Sequence, residues 1–238
     1  MDILNHLLTA DPAAPRLTVY NESTGARMDF SAQTLENWVA KIANLLEEEL
    51  ELDTDSALLI DLPVTWQAAV VALGSLAAGV QFDFVNSSEP READDSSPQI
   101  VADAVFTSPD KFELYSVGNV AAASDGSAPD VALVTDDPFG RGVAESGGEL
   151  PAGAIDFGPT VRFYGDDYFG STTPLPELYP DAGSASRLLS TGWHDKESFT
   201  LSVLHPLAAG GSAVVVAGLT TAERLQQIAA NENTTAQL

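Results

Sequence analysis

The chain has 238 residues, 45 % of them hydrophobic, with 10 Phe, 5 Tyr and 3 Trp; this is a globular composition with material for one sizeable domain or two small ones sharing a core. Thirty-five acidic residues stand against 3 Lys and 7 Arg, a net charge of −25, which disfavours DNA, RNA and anionic membrane surfaces as partners. Cysteine is absent, so disulfides, thiolate nucleophiles and cysteine metal sites are excluded.

Residues 2–10 suit a short amphipathic helix, with Ile3, Leu4, Leu7 and Leu8 at helical spacing. Leu17–Tyr20 and Arg27–Phe30 alternate around a Gly-containing turn and predict a β-hairpin. Ser31 is a good N-cap for a helix that carries Leu35, Trp38, Val39, Ile42, Leu45 and Leu46 on one face and ends in Glu47, Glu48 and Glu49. Ala57–Leu62 reads as a buried parallel strand interrupted only by Asp61. Pro63 suits the start of an Ala/Val/Leu-rich helix over 66–78, capped by Gly79, and Val80–Val85 is the next strand. A strand–helix–strand connection this short predicts parallel strands joined by a right-handed crossover.

Residues 86–99 and 121–130 are polar connections. Ala104–Thr107 and Val131–Thr135 read as strands, and Pro109–Val117 as a short helix. The stretch 143–186 is rich in Gly, Pro, Ser and Thr and is expected to be irregular, with a strand only at Thr160–Tyr164. Order returns with a short strand at Arg187–Thr191, a mostly helical Lys196–Ala208 that Pro206 kinks or ends, a strand at Ser212–Ala217 and an amphipathic helix over 221–230. The expected fold is α/β, a mostly parallel sheet flanked by helices, in one domain over 1–238. Strands 57–62, 80–85 and 212–217 are expected to be central, because both their faces read as apolar.

Several stretches, in order, resemble adenylate-forming enzymes, the acyl-CoA synthetase and peptide-synthetase adenylation group. They are the hairpin and helix Leu17–Leu50 with its Ala43-Asn44-Leu45-Leu46 run, the 57–85 unit with Pro63 and Ala78-Gly79, and Arg187–His194 through Pro206–Val216. More narrowly, Asn37-Trp38 to Leu46, Trp66-Gln67, the turn Asp137-Pro-Phe-Gly-Arg141 and Arg187 to Thr191 resemble a small actinobacterial family that looks like the N-terminal part of such synthetases. The resemblance implies the fold of the synthetases' N-terminal subdomains. It also implies a Ser/Thr/Gly-rich phosphate loop ending in Pro-Lys-Gly, a Tyr-Gly-x-Thr-Glu stretch, a ribose-binding Asp and a mobile C-terminal domain with a catalytic Lys. The nearest phosphate-loop candidate, Gly170-Ser171-Thr172-Thr173-Pro174-Leu175-Pro176, has the hydroxyls but no Lys; it reads either as a degenerate phosphate loop or as a plain surface turn. The other elements have no match in these residues, so no catalytic residue carries over and the chain reads as a truncated synthetase without adenylating activity.

Of the three His, His6 is expected at the surface and His205 in helix-end packing. His194 falls about where the synthetases place a His or aromatic residue near the adenylate. A ligand site is therefore expected at the C-terminal ends of the parallel strands, formed by Thr191, Gly192, Trp193 and His194. An ordinary loop His and a core Trp would account for the same residues. A Ser-His-Asp hydrolase lacks its G-x-S-x-G elbow. The acidic pairs Asp94-Asp95, Asp136-Asp137 and Asp166-Asp167 are read as solvated loop acids, and 53–64 fails the EF-hand pattern, so no metal and no cofactor are expected. No apolar run reaches the ~20 residues of a membrane helix, and the N-terminus has no basic signal region; a cytoplasmic protein is expected. The acidity reads as a solubilising surface, as salt adaptation or as a face for a basic protein partner. Two functions stay open: a non-catalytic binding or interaction protein, and one half of a split synthetase or an enzyme of other chemistry.

Overall fold

The computed structural model describes residues 1–85, 100–116, 120–121 and 128–238. Helix α1 (Asn5–Ala10) leads into the hairpin β1 (Pro15–Asn21) and β2 (Ala26–Ser31). Helix α2 (Ala32–Asn44) follows, with the Ser31 hydroxyl accepting from the Thr34 amide as its cap, and runs on as a π turn over Leu45–Glu49. Next come β3 (Ala57–Asp61), α3 (Trp66–Ala78), β4 (Gln81–Phe84), β5 (Ile100–Val101) and β6 (Ala104–Thr107). A 3₁₀ turn at Pro109–Lys111 leads into α4 (Phe112–Ser116), then β7 (Val120–Ala121) and β8 (Asp130–Leu133). The stretch expected to be irregular contains β9 (Ala154–Asp156), α5 (Phe157–Phe163) and α6 (Leu175–Leu178). The chain closes with β10 (Arg187–Ser190), α7 (Lys196–Phe199), a π turn at Thr200–Leu204, α8 (His205–Ala208), β11 (Ser212–Ala217), α9 (Ala222–Glu232) and β12 (Ala236–Gln237).

The strands form two five-stranded sheets rather than one. The first has the order β12-β10-β11-β1-β2 and is parallel except for the hairpin. The second, β4-β3-β6-β8-β9, is parallel throughout, and β5 and β7 pair separately. Between the sheets lie α2 and α3. Leu17, Val19 and Val215 of the first sheet, Leu58, Ile60 and Phe106 of the second, and the inner helices join one hydrophobic cluster. The outer faces are smaller: Val214, Val216 and Leu189 pack under Ile228 of α9, while Val105, Val131 and Leu133 pack with Tyr115 of α4. Helix α3 is buried nearly all round, and it approaches α2 closely because Gly74 has no side chain. A Cβ there would lie 2.2 Å from Ile42 Cγ2.

Several expectations need correction. Strand β11 is the middle of its sheet and β3 is interior, but β4 is an edge strand. Its Gln81 and Asp83 face solvent while Phe82 and Phe84 are buried, so the alternation marks one covered face. Thr160–Tyr164 is not a strand. Val161 and Phe157 lie four residues apart on the buried side of α5, and Pro159 fits that helix's first turn. Pro63 does not start α3; Thr65 caps it, accepting from the Ala68 amide. At Pro206, the helix widens into a π turn over the preceding residues and continues to Ala208, which accommodates the missing amide and the proline ring. His6 is part-buried, its Nε2 2.9 Å from the Leu207 carbonyl. The stretch 86–99 and most of 121–130 lie outside the described residues.

Candidate functional site

The carboxyl ends of β6 and β8 open on a cleft of about 600 Å³, lined by Thr24 of the hairpin turn, Ser108 to Asp110, Thr135 to Pro138, Arg141, Glu145 and Ser146. A narrow extension runs between the sheets past Val64 to Gln67 and Met28. The chain leaves β3 for α3 on the inner face and leaves β6 for α4 on the outer face. Successive connections diverge there, and open parallel sheets form their ligand crevices at such a divergence.

The far wall is the turn Asp137–Arg141, held by residues distant in sequence. Gln67 Nε2 donates to the Asp137 carbonyl at 2.8 Å and Trp66 Nε1 to the Pro138 carbonyl at 3.1 Å. Arg162 donates to the Gly140 carbonyl at 2.7 Å and the Thr135 hydroxyl to the Arg141 carbonyl at 2.5 Å. Four carbonyls of a five-residue turn thus have side-chain donors, in a segment that makes no sheet or helix of its own. Gly140 has φ +69°, and a Cβ there would press on Trp66 at 3.1 Å. Trp66 in turn stacks with Trp38 and Phe30, at ring-centroid distances of 4.8 and 5.1 Å. Beyond the turn, Asp156 accepts from the amides of Val143 and Ala144, and Glu145 accepts from Gly142 while pairing with Arg162.

Helix α2 clamps the same segment further on. Lys41 Nζ donates to the Tyr164 carbonyl at 2.6 Å and pairs with Asp166. Asn44 donates to the carbonyls of Gly165 and Asp167. The separate sequence motifs Trp38 to Asn44, Trp66-Gln67 and Asp137–Arg141 therefore form one assembly that positions residues 137–168. Arg162, which ties this assembly together, carries no motif and was not singled out in the sequence.

Electrostatically the cleft is acidic. Four carboxylates, Asp110, Asp136, Asp137 and Glu145, face one guanidinium, Arg141. That guanidinium is committed to Asp137, at 2.6 and 2.9 Å. Its hydrogen bond holds the Asp137 carboxyl below the usual range, and Arg162 does the same to Glu145. A polyphosphate in such a site needs unpaired cations or free amides. The residues lining the cleft do not fit it. Among the described residues no cluster of three or more His, Asp or Glu has metal-binding geometry.

The residues predicted from sequence are placed as follows. Gly192 has φ +99° and packs on Val64, which lines the narrow extension, so this turn borders the cleft at one point. Thr191 is exposed. Trp193 is 7 % exposed and packs among Phe84 and Phe199, at centroid distances of 5.9 and 5.0 Å; it serves the core. His194 points to solvent with Nε2 3.3 Å from Asp195 Oδ2, while Asp195 caps α7 through Ser198. Ser171, Thr172 and Thr173 do not sit with these residues in the cleft. The Thr172 hydroxyl accepts from the Asp2 amide at 2.6 Å, and the Leu175 amide donates to the Ile3 carbonyl. This loop holds the N-terminal segment, whose Ile3, Leu4 and Leu7 are fully buried. His205 packs edge-on against Tyr179.

Comparison with solved structures gives the class. The whole chain superposes on a Brucella canis acyl-CoA synthetase with a TM-score of 0.68 at 16 % identity, covering 47 % of that chain. It superposes similarly on the anthranilate CoA ligase AuaEII in complex with anthranoyl-AMP (0.65, 10 %, 48 % of that chain) and on a benzoate CoA ligase from Burkholderia xenovorans LB400 (0.63, 13 %, 50 %). The chain thus has the α/β fold of the acyl-CoA synthetases' N-terminal domains and spans about half the length of these structures. No family model matches the chain. A curated protein of Mycobacterium tuberculosis (strain ATCC 25618 / H37Rv), a "TIGR03089 family protein", is 35 % identical over 251 residues, covering 98 % of this chain and 95 % of that protein. The chain belongs to that family. Among the described residues, no helix is long and apolar enough to cross a membrane.

Proposed function

We propose that this chain is a cytosolic binding or interaction protein built on the adenylate-forming fold, and that it does not itself make acyl adenylates. The observation that carries this reading is the charge of the cleft: four carboxylates line it, and the two guanidiniums near them are already paired, Arg141 with Asp137 and Arg162 with Glu145. Adenylyl transfer develops negative charge on phosphate oxygens and requires positive charge already aimed at them. Here the field opposes it. The hydroxyl loop Ser171–Thr173, the nearest sequence match to a phosphate loop, is engaged by the N-terminal segment instead. The cleft suits a small uncharged polar or cationic ligand, with Thr24, Ser108 and Ser146 as hydroxyl partners. The turn Thr191–His194 borders the narrow extension only through Gly192 on Val64, so it is a neighbour of this site and supplies no group to the ligand. ATP–pyrophosphate exchange over a broad panel of carboxylic acids tests the reading. No turnover is expected; robust exchange by purified protein, lost on substituting Ser171 to Thr173, overturns it.

A second reading is one half of a split acyl-adenylating enzyme. It is favoured by the coverage of 47 to 50 % of the CoA ligases over the whole of this chain. Co-purification of a chain carrying a Lys-ended phosphate loop and a C-terminal lid, with exchange restored in the mixture, supports this reading over the first.

A further inference from the structure

The segment Phe163-Tyr164-Gly165-Asp166-Asp167-Tyr168-Phe169 carries a Phe at each end and a Tyr inside each Phe, and the structure sorts it by residue type. Tyr164 and Tyr168 are buried, whereas Phe163 and Phe169 are 86 % and 95 % exposed. Burying a Phe side chain is worth about 1.5–3 kcal/mol, and here two are left in water on a chain of charge −25. Single exposed apolar residues are ordinary, but this pair sits on a backbone held from behind. Lys41 and Asn44 take the carbonyls of Tyr164, Gly165 and Asp167. The Tyr164 hydroxyl donates to Glu49 at 2.6 Å, and that of Tyr168 hydrogen-bonds Glu47. Burial first, and these carboxylates second, push both phenols up to about 12, so they stay neutral donors. The loop is ordered before anything binds, which lowers the entropy cost of association.

We propose that this loop is a docking surface for a basic, amphipathic helical segment of another protein. Glu47, Glu48, Glu49, Asp166 and Asp167 belong to or adjoin this loop, with Lys41 as the cation, and all five acids are exposed. Aromatic anchors accompanied by exposed charge are the usual anatomy of an interface. A partner helix with an apolar stripe and flanking Lys or Arg satisfies both parts. A second copy of this chain brings the same acids and is repelled, and so is an anionic lipid surface. None of these residues lines the cleft, so the proposal stands or falls separately from the reading of that site.

The test uses a labelled helical Leu/Lys peptide with a single Leu face, its Leu/Glu counterpart, and fluorescence anisotropy at physiological salt. The Leu/Lys peptide is expected to bind the wild-type protein. The Phe163→Ser/Phe169→Ser double variant, folded and with unchanged melting temperature, is expected to lose at least about tenfold in affinity, the loss of one anchor's worth of contact. Asp166→Asn/Asp167→Asn weakens binding less and reduces its salt dependence. Absence of binding, binding indifferent to the Phe substitutions, or equal binding of the Leu/Glu peptide overturns the proposal. So does Phe-dependent self-association in sedimentation, or Phe-dependent partitioning onto zwitterionic vesicles.

Discussion

The turn Thr191–His194 follows β10, and the turn Asp137–Arg141 follows the end of β8. Each carries an aromatic residue, a glycine with positive φ and a charged or titratable side chain. In the first, the aromatic goes inward and the titratable ring outward: Trp193 joins Phe84 and Phe199, and His194 meets solvent. In the second, Phe139 is 75 % exposed, and it is the backbone that is gripped, by Gln67, Trp66, Arg162 and Thr135. Residue types at a strand's carboxyl end therefore do not define a site. What separates the two turns is whether neighbouring elements take up the turn's own polar groups and leave a cleft beside it.

The largest expected effects break the first turn. Trp193→Ala should destabilise the protein by about 3–5 kcal/mol, as a buried Trp truncated among aromatic rings does. His194→Ala should change stability by under about 0.5 kcal/mol. Denaturant titration of the pair checks this; equal effects would mean that Trp193 is not a core residue.

Two buried carboxyls sharpen the comparison, because one lacks partners and the other has several. Glu36 of α2 is buried with Oε2 unpartnered. Burial pushes it up to about 7, the N-terminal amine pulling down and Asp2 pushing up. Its folded value exceeds the unfolded one near 4.5, so its stabilising contribution is full below about 4.5 and is lost as pH rises through about 7. The amount is about 3 kcal/mol. Glu232 is the converse. Burial would raise it, but hydrogen bonds from Arg27, Tyr20 and Arg187 together hold it at about 2. Its contribution, of similar size, is present above about 4.5 and lost as pH falls through about 2. Thermal melts from pH 3 to 9 should show Glu36→Gln flattening the alkaline limb and Glu232→Gln the acid one; a wild-type alkaline limb retained in Glu36→Gln would refute the assignment.

Smaller effects probe the second turn. Gln67→Ala removes the side-chain donor to the Asp137 carbonyl, which keeps the Gly140 amide, and should cost about 1 kcal/mol. Gly140→Ala, strained at φ +69° and pressed on Trp66, should cost a similar amount. Hydrogen exchange should speed up over 137–145 in both variants; unchanged protection there would mean that the turn is held by other contacts.

Much of the fold was legible in the sequence. Periodicity, the Ser31 cap and the Gly79 stop mark α2 and α3, and the apolar run Ser212–Ala217 marks the middle strand of its sheet. Two sheets could not be told from one, because local pattern does not say which strands pair. Phe157–Phe163 read as irregular sequence followed by a strand, since its helical face becomes apolar only against α2. The site was half legible. The motifs around Trp38, Trp66 and Asp137 were visible as runs, but their convergence depends on tertiary contacts. Arg162, a lone cation in an acidic stretch, gave no signal of its role.

The most direct test of the central claim is whether MgATP binds. A ligand at one hundred times its Kd stabilises a protein by about 2.7 kcal/mol, or roughly 5–10 °C for a chain of this size. In thermal melts at physiological salt, the acidic cleft predicts no shift with millimolar MgATP for the wild-type protein. A saturable shift of that size, removed by substituting Thr24 and Ser108 at the cleft, would contradict the account.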